Sequence, residues 1–374
     1  LAFTLNACHK LFSENFLCNT KLRLSSLVMN YSSFLQCVCL LFTVPFLLAQ
    51  EANINVSEFV FEKGPFKECH APTLVVLEDG SIMASWFAGT HERHEDVAIY
   101  TSIKKEGSWS YPKLVANGVA ANGKKYPTWN PVLFKNPNGL LYLYYKVGPS
   151  PSTWWGVYKT SKDNGKTWSE AKKLSDGILG PIKNKPLLLK NGNILSPSSV
   201  ELENGEIWLA HMEHSIDSGK TWQKIKIPQK KKHKLIQPTL LTLKDQSILA
   251  LFRSNQDKVV YSTSKNNGIT WSKAKAMDLE NPNSGIDALT MKNGNHLLVY
   301  NPALSGDQWW DGRSKLNLGY SQDGMQWKSI VSLENHQKGE YSYPAIVQDQ
   351  DGYIHLVYTY DRKKIKYVKL KIED

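Results

Sequence analysis

The sequence predicts an all-β protein folded as a six-bladed β-propeller, and three observations carry that reading. First, an eight-residue phrase recurs: Ser161-Lys-Asp-Asn-Gly-Lys-Thr-Trp168, Ser215-Ile-Asp-Ser-Gly-Lys-Thr-Trp222 and Ser264-Lys-Asn-Asn-Gly-Ile-Thr-Trp271. Looser copies are Ser321-Gln-Asp-Gly-Met-Gln-Trp327 and Ser102-Ile-Lys-Lys-Glu-Gly-Ser-Trp109, so the tryptophans step by 59, 54, 49 and 56 residues. Second, a turn signal recurs out of phase with it, at Asp79-Gly80, Asn138-Gly139, Asn191-Gly192, Asp245-Gln246, Asn293-Gly294 and Asp351-Gly352. Third, the text after those turns is β-branched and aromatic, as at 140–145, 296–300 and 353–358, and no stretch keeps a helical period.

Each element has a local cause. Asp-Gly and Asn-Gly pairs suit hairpin turns because Gly and Asn tolerate positive φ. In the eight-residue phrase, Ser and Asp side chains bond nearby backbone amides while the Trp packs between sheets. Repeats of about 50 residues with four strands each describe propeller blades, and six turns imply six blades. The last strand, 364–372, and an early strand, 56–61, are the expected partners closing the ring. One propeller domain therefore spans 50–374.

The residues before it read differently. Four of the five cysteines (Cys8, Cys18, Cys37 and Cys39) precede residue 40, and 34–49 is nearly continuous apolar text interrupted by Pro45. That run is short for a membrane span and ends in Ala49 before Gln50-Glu51. Residues 1–49 are thus expected to be upstream residues plus a secretory signal peptide, the signal proper being 29–49. The expectation is an exported protein, periplasmic or secreted, with no membrane insertion after cleavage. Its one remaining cysteine, Cys69, leaves no intramolecular disulfide.

Composition narrows the function. Hydrophobic residues make 41% of the chain, enough for a core, and there are 12 Trp and 17 Tyr. Net charge is +11, yet only Arg23, Arg93, Arg253, Arg313 and Arg362 are arginine among 45 basic residues. The charge suggests an anionic partner, while the lack of Arg/aromatic motifs argues against nucleic acid. No motif requires a cofactor or metal, although a structural Ca²⁺ near acidic loops is compatible. A monomer is expected.

The recurring phrase resembles the Asp-box, or bacterial neuraminidase repeat, of the sialidase-like propellers. Residues 69–90 have the sialidase cadence. Trp129-Asn-Pro-Val-Leu-Phe134 and Gly339-Glu-Tyr-Ser-Tyr-Pro344, with 177–186 and 282–287, resemble the branch of that family labelled exo-sialidase. The resemblance implies an Asp-box propeller whose boxes are structural. It also implies a site in which three arginines grip a carboxylate, a Tyr–Glu pair is the nucleophile and an Asp the acid/base. Carried over, the first arginine falls on His70, while Arg253 and Arg313 suit the other two. Tyr341 or Tyr343 suits the nucleophile, Glu201 or Glu213 its partner, and Asp96 or Glu95 the acid/base. A guanidinium fork binds a carboxylate bidentately where His or Lys does not, so a missing arginine argues against the sialidase reaction.

Polar residues that interrupt apolar strand ends cost free energy unless paired or functional, and they supply the candidate site. The catalytic candidates are His70, His211, Tyr343, Tyr341 and Glu213. Charged binding candidates are Arg253, Lys183, Lys185, Lys146, Arg93 and Asp96. Trp154 and Trp155 suit a sugar face as well as they suit packing between blades. Asn184, Glu201, Gln237, Asn283, Asp287 and Asn301 complete the set. Strand alternation puts His211 with Glu213, Lys183 with Lys185, and Tyr341 with Tyr343 on shared faces. Carboxylate neutralisation, a His or Lys base and a Tyr acid are what β-elimination beside a uronic acid needs. The expected function is an exported enzyme acting on an anionic, uronate-containing oligosaccharide, of the ulvan type that the resemblance admits. It eliminates at the non-reducing end to leave a 4,5-unsaturated sugar. The alternatives are a sialidase-like exo-glycoside hydrolase of an acidic sugar and a glycan-binding propeller without catalysis.

Overall fold

The computed structural model describes residues 52–120, 123–136 and 139–373, which belong to one compact unit, Gln50–Asp374. The signal peptide expected at 29–49 lies outside the described residues. Six antiparallel sheets form six blades. Their innermost strands are Glu68–Val76, Thr128–Lys135, Leu187–Leu188, Ile236–Thr242, Asp287–Thr290 and Tyr341–Gln348, opening blades one to six in turn. The sixth blade takes its outermost strand, Ala52–Phe59, from the start of the unit. That strand pairs antiparallel with Lys364–Ile372, from Ala52 opposite Ile372 to Phe59 opposite Lys366. The ring therefore closes as the sequence suggests, with the early strand shifted to 52–59. Among the described residues there is no α-helix, only short 3-10 turns.

The Asp-boxes join the third and fourth strands of blades two to five. In blade three the Ser215 hydroxyl donates to Asp217 at 2.9 Å and accepts the Gly219 N–H at 2.8 Å. The Asp217 carboxylate accepts the backbone N–H and hydroxyl of Thr221 at 2.9 and 2.6 Å. The Trp222 indole N–H closes the turn on the Gly219 carbonyl at 3.1 Å. Blade four keeps this geometry with Asn266, whose carboxamide both accepts from and donates to Thr270. The looser copy at 102–109 differs. Lys104 stands where the box needs an acceptor, so Ser102 donates to the Ser110 carbonyl instead and Trp109 donates to Glu58 of the closing strand. The turn there falls to Glu106 and Gly107, both at positive φ.

Four innermost strands begin on one device. Ala71, Asn130, Gln237 and Tyr343 each precede a proline and each has a left-handed backbone, with φ of 51°, 41°, 51° and 53°. Strand pairing skips at each of these positions. Such a bulge breaks the period-two alternation and re-aims the side chain, here at a strain of roughly 1–2 kcal/mol per residue.

Between the blades sits a buried polar tie. The Lys183 ammonium donates to the Asn184 side chain and the Ile286 carbonyl, both at 2.9 Å, and to the Pro344 carbonyl. The Asn184 amide donates to the Gln237 and Pro238 carbonyls at 3.0 Å. Two adjacent residues thereby fasten blade three to blades four, five and six. Burial pulls the Lys183 pKa down to about 7, yet its three acceptors match the three protons of an ammonium. Asn184→Ala would strand two carbonyls and one ammonium contact. It is expected to cost about 2–4 kcal/mol in chemical denaturation.

Candidate functional site

A cavity of about 560 Å³ opens beside the strand bulges. Asn130, Gln237 and Tyr343, three of the left-handed residues, line it together with His70, the neighbour of the fourth. All four arginines of the described chain, Arg93, Arg253, Arg313 and Arg362, line this one cavity, and no lysine does. Trp129, Trp154, Trp208 and Trp309 complete its walls. Among the described residues, the indole N–H groups of Trp154 and Trp208 are buried without an acceptor.

The guanidiniums are fixed from behind. Glu340 takes Arg313 on one oxygen at 2.8 Å and Arg362 on the other at 2.7 Å. Arg362 also donates to Glu92 at 2.5 Å and lies 3.5 Å from the His70 Nε2. Asn283 accepts from Arg253 through its side chain at 2.7 Å and from Arg313 through its carbonyl at 2.8 Å. Arg253 then donates to the Tyr343 phenol oxygen at 2.5 Å. Exposed Trp309 lies over Arg362 and Arg313, with guanidinium-to-ring distances of 4.8 and 5.2 Å.

Burial and neighbouring charge tune the ionisable groups of this site. Burial, then the neighbouring Arg253, pulls Arg313 down, and its Nε is buried without an acceptor. Burial, followed by Arg362, Arg313 and Arg253, holds His70 well below the ordinary imidazole value, so it is neutral. Four guanidiniums face the carboxyls of Glu68, Glu92 and Glu201. Burial raises Glu201 above its usual range, against the pull of Arg253 and Arg93, so it retains a proton more readily than a free carboxyl. A guanidinium is suited to an entering carboxylate.

Of the sequence candidates, His70, Arg93, Trp154, Glu201, Gln237, Arg253 and Tyr343 come together here. Asn283 stands behind them, and Trp155 lines an adjoining cavity. The others lie elsewhere. His211 and Glu213 do share a face, 3.1 Å apart, but Glu213 is buried accepting the Leu179 and Gly180 N–H groups at 2.8 and 2.7 Å. Lys146 donates to the Pro181 carbonyl, and burial lowers it to about 7. These three fasten the loop before blade three. Lys183 and Asn184 join blades, as does Asp287, which takes Lys185, the Thr239 hydroxyl and the Ile346 N–H. Asn301 donates to the Lys315 and Tyr341 carbonyls. Tyr341 parts from Tyr343 because the bulge falls at Tyr343 itself, and Tyr341 packs on Tyr360 and His336. Asp96 is exposed and outside the cavity. Burial opposes its ionisation, but bonds from Thr90 and His94 outweigh that and hold it below the ordinary value, which unsuits it as a proton donor.

One expectation is corrected. The cavity's cations are arginines, because the candidate lysines are spent on backbone carbonyls and Asp287. His70 lines the cavity, and Arg362 reaches in beside it from blade six. Arg362, Trp129, Trp208 and Trp309 were missed, although the scarcity of arginine and the repeated x-Pro pairs were visible signals. Among the described residues, no group of three or more His, Cys, Asp or Glu side chains is placed to hold a metal ion.

Glu340 yields a pH test. Burial opposes its ionisation, but Arg362 and Arg313 outweigh burial and hold its pKa below 4.5. A carboxyl depressed on folding stabilises the fold above its unfolded pKa, and that stability is lost as pH falls through the folded value. Glu340→Gln should therefore cost about 3–5 kcal/mol near neutral pH. In denaturation series the gap from wild type should shrink as pH drops below about 4.5.

The sequence profile of the BNR repeat-like domain matches residues 59–356. No curated protein sequence matches the chain. Among solved structures, a protein of unknown function from Dyadobacter fermentans superposes with a TM-score of 0.69 at 15% identity, covering 86% of this chain and 99% of that one. The NanB sialidase of Streptococcus pneumoniae gives 0.64 at 16% identity, over 84% of this chain and 70% of that one. An intramolecular trans-sialidase from Ruminococcus gnavus gives 0.67 at 14% identity, over 84% and 97%. At such identities the likeness is one of fold. Because the repeat profile spans most of its length, the chain belongs to the BNR repeat-like domain family, with a sialidase-like six-bladed propeller.

Proposed function

We propose that the chain is an exported, carbohydrate-active enzyme that acts on the terminal acidic sugar of an oligosaccharide. The observation that carries this reading is the convergence of every described arginine on one aromatic-walled cavity around Tyr343. Arg253, Arg313 and Arg362 hold the sugar carboxylate, and the tryptophans take its ring and hydroxyl groups. The two sialidase-type neighbours named above support the same class of ligand.

The reading favoured first is glycosidic cleavage. The Tyr343 oxygen attacks the anomeric carbon while the bond to the leaving sugar breaks. Glu201 gives the leaving oxygen a proton on one face of the sugar, and on the other the proton displaced from the phenol passes to neutral His70. Water then gives one proton to the Glu201 carboxylate and releases the terminal sugar from Tyr343, whose phenol recovers its proton from His70. A second reading rests on neutral His70, whose ring lies 4.2 Å from that of Tyr343. Here the arginines mask a uronate carboxylate and the C5 proton passes to the His70–Tyr343 pair. The C4–O bond breaks with a proton from Glu201, leaving a 4,5-unsaturated sugar.

Oligosaccharides ending in sialic or uronic acid separate these outcomes. Released acidic sugar without new ultraviolet absorbance marks cleavage, and an absorbing unsaturated product marks elimination. Binding without either product would leave a glycan-binding propeller. Tyr343→Phe should lower kcat by at least about 10³-fold. It should leave the affinity for the acidic sugar within a few-fold of wild type, as measured by calorimetry. An unchanged kcat would remove Tyr343 from the chemistry.

A further inference from the structure

A second cavity, of about 310 Å³, adjoins the first between blades two and three. Pro151, Trp154 and Glu201 line both, so Glu201 stands on the wall between them. The two differ in chemistry. The first gathers the arginines, whereas the second has none and presents Trp155, exposed Leu202 and Lys224. Lys173 also lines it, but it is neutralised by Asp176 at 2.8 Å. Among the described residues Lys224 makes no such pair.

We infer that this second cavity is the subsite for the sugar on the leaving side of the bond. The inference rests on the cleavage reading of the proposed function, since it seats the terminal acidic sugar in the arginine cavity with its linking oxygen toward Glu201. A saccharide spanning both cavities carries its linking oxygen past Glu201, the group that burial keeps inclined to hold a proton. The leaving sugar lays its apolar face on Trp155 and Leu202, and Lys224 meets its hydroxyl or anionic substituents. A free acidic monosaccharide fills only the arginine cavity.

Titration calorimetry tests this with glucuronate, N-acetylneuraminate and trisaccharides ending in each. The trisaccharide that carries the favoured acid should bind at least about tenfold tighter than the acid alone. Ser175→Trp, placed at an exposed position of the second cavity, should abolish that advantage and leave the monosaccharide affinity unchanged. Lys224→Glu should reduce it in the same direction without adding bulk. Equal affinity for trisaccharide and monosaccharide, or a trisaccharide advantage unaltered in both variants, would overturn the subsite while the proposed function stands. Failure of both acids to bind, free or in trisaccharides, would remove the proposed function and the subsite together.

Discussion

A left-handed residue held against a following proline opens the innermost strand of four blades, and the site depends on that backbone constraint. An L-residue at positive φ is strained, and the residue before proline is restricted further. In each of the four blades, pairing with the one neighbouring strand holds before the bulge and resumes after it, which fixes the backbone on both sides of the strained residue. What the strain supplies is direction. In a regular strand Tyr341 and Tyr343 would share a face. The bulge sends Tyr343 to the cavity and leaves Tyr341 packed on Tyr360. Blade three has no x-Pro bulge. It places Lys183 at φ 68° instead, and that lysine grips the Pro344 carbonyl immediately after Tyr343. Tyr343 is thus positioned by its own backbone and by a cation from across the ring.

The arginine cluster follows a different economy. Three guanidiniums around one cavity repel one another, and a site of this kind stands only if carboxylates behind it share the charge. Glu340 does so for two arginines at once, and Asn283 adds a neutral bridge between Arg313 and Arg253. Neutral His70 is part of the same balance, because a fourth buried cation there would add to the repulsion. Lysine would not serve equally: its ammonium is a hydrated point charge without the fork that meets two carboxylate oxygens. The lysines on the surface keep solvent contact, and the buried Lys146 and Lys183 hold backbone carbonyls.

Much of the fold was legible because its determinants are local. A Ser-x-Asp-x-Gly turn closes its own hydrogen bonds within eight residues, so its copies count blades from sequence alone. Even its failure in blade one is local, with Lys104 in the acceptor position. The site was half legible, for the opposite reason. His70, Gln237 and Tyr343 stand near the starts of innermost strands, and Arg253 ends the strand paired with one, so position in the repeat gives position in the cavity. His211 and Glu213 have the same appearance in sequence, yet partners from 177–182 hide them. Arg362 sits on a hairpin of blade six beside Asp361, with nothing local to mark it. Only ring closure brings it within 3.5 Å of His70, a separation of 292 residues along the chain.

The short contact between Arg253 and Tyr343 bears on which acidic sugars suit the proposed enzyme. If Arg253 anchors the carboxylate, the phenol oxygen lies one hydrogen bond away from that anchor. The carbon it reaches must then be close to the one that carries the carboxylate. In a 2-keto acid sugar such as sialic acid, the anomeric carbon itself bears the carboxylate, so cleavage satisfies this constraint. In a uronate the carboxylate hangs from C5, on the far side of the ring oxygen from the anomeric carbon. Cleavage at C1 would leave Tyr343 on the wrong side of its anchor, whereas removal of the C5 proton would not. Substrate and reaction are therefore linked on this reading: a 2-keto acid sugar goes with glycosidic cleavage, and a uronate goes with elimination.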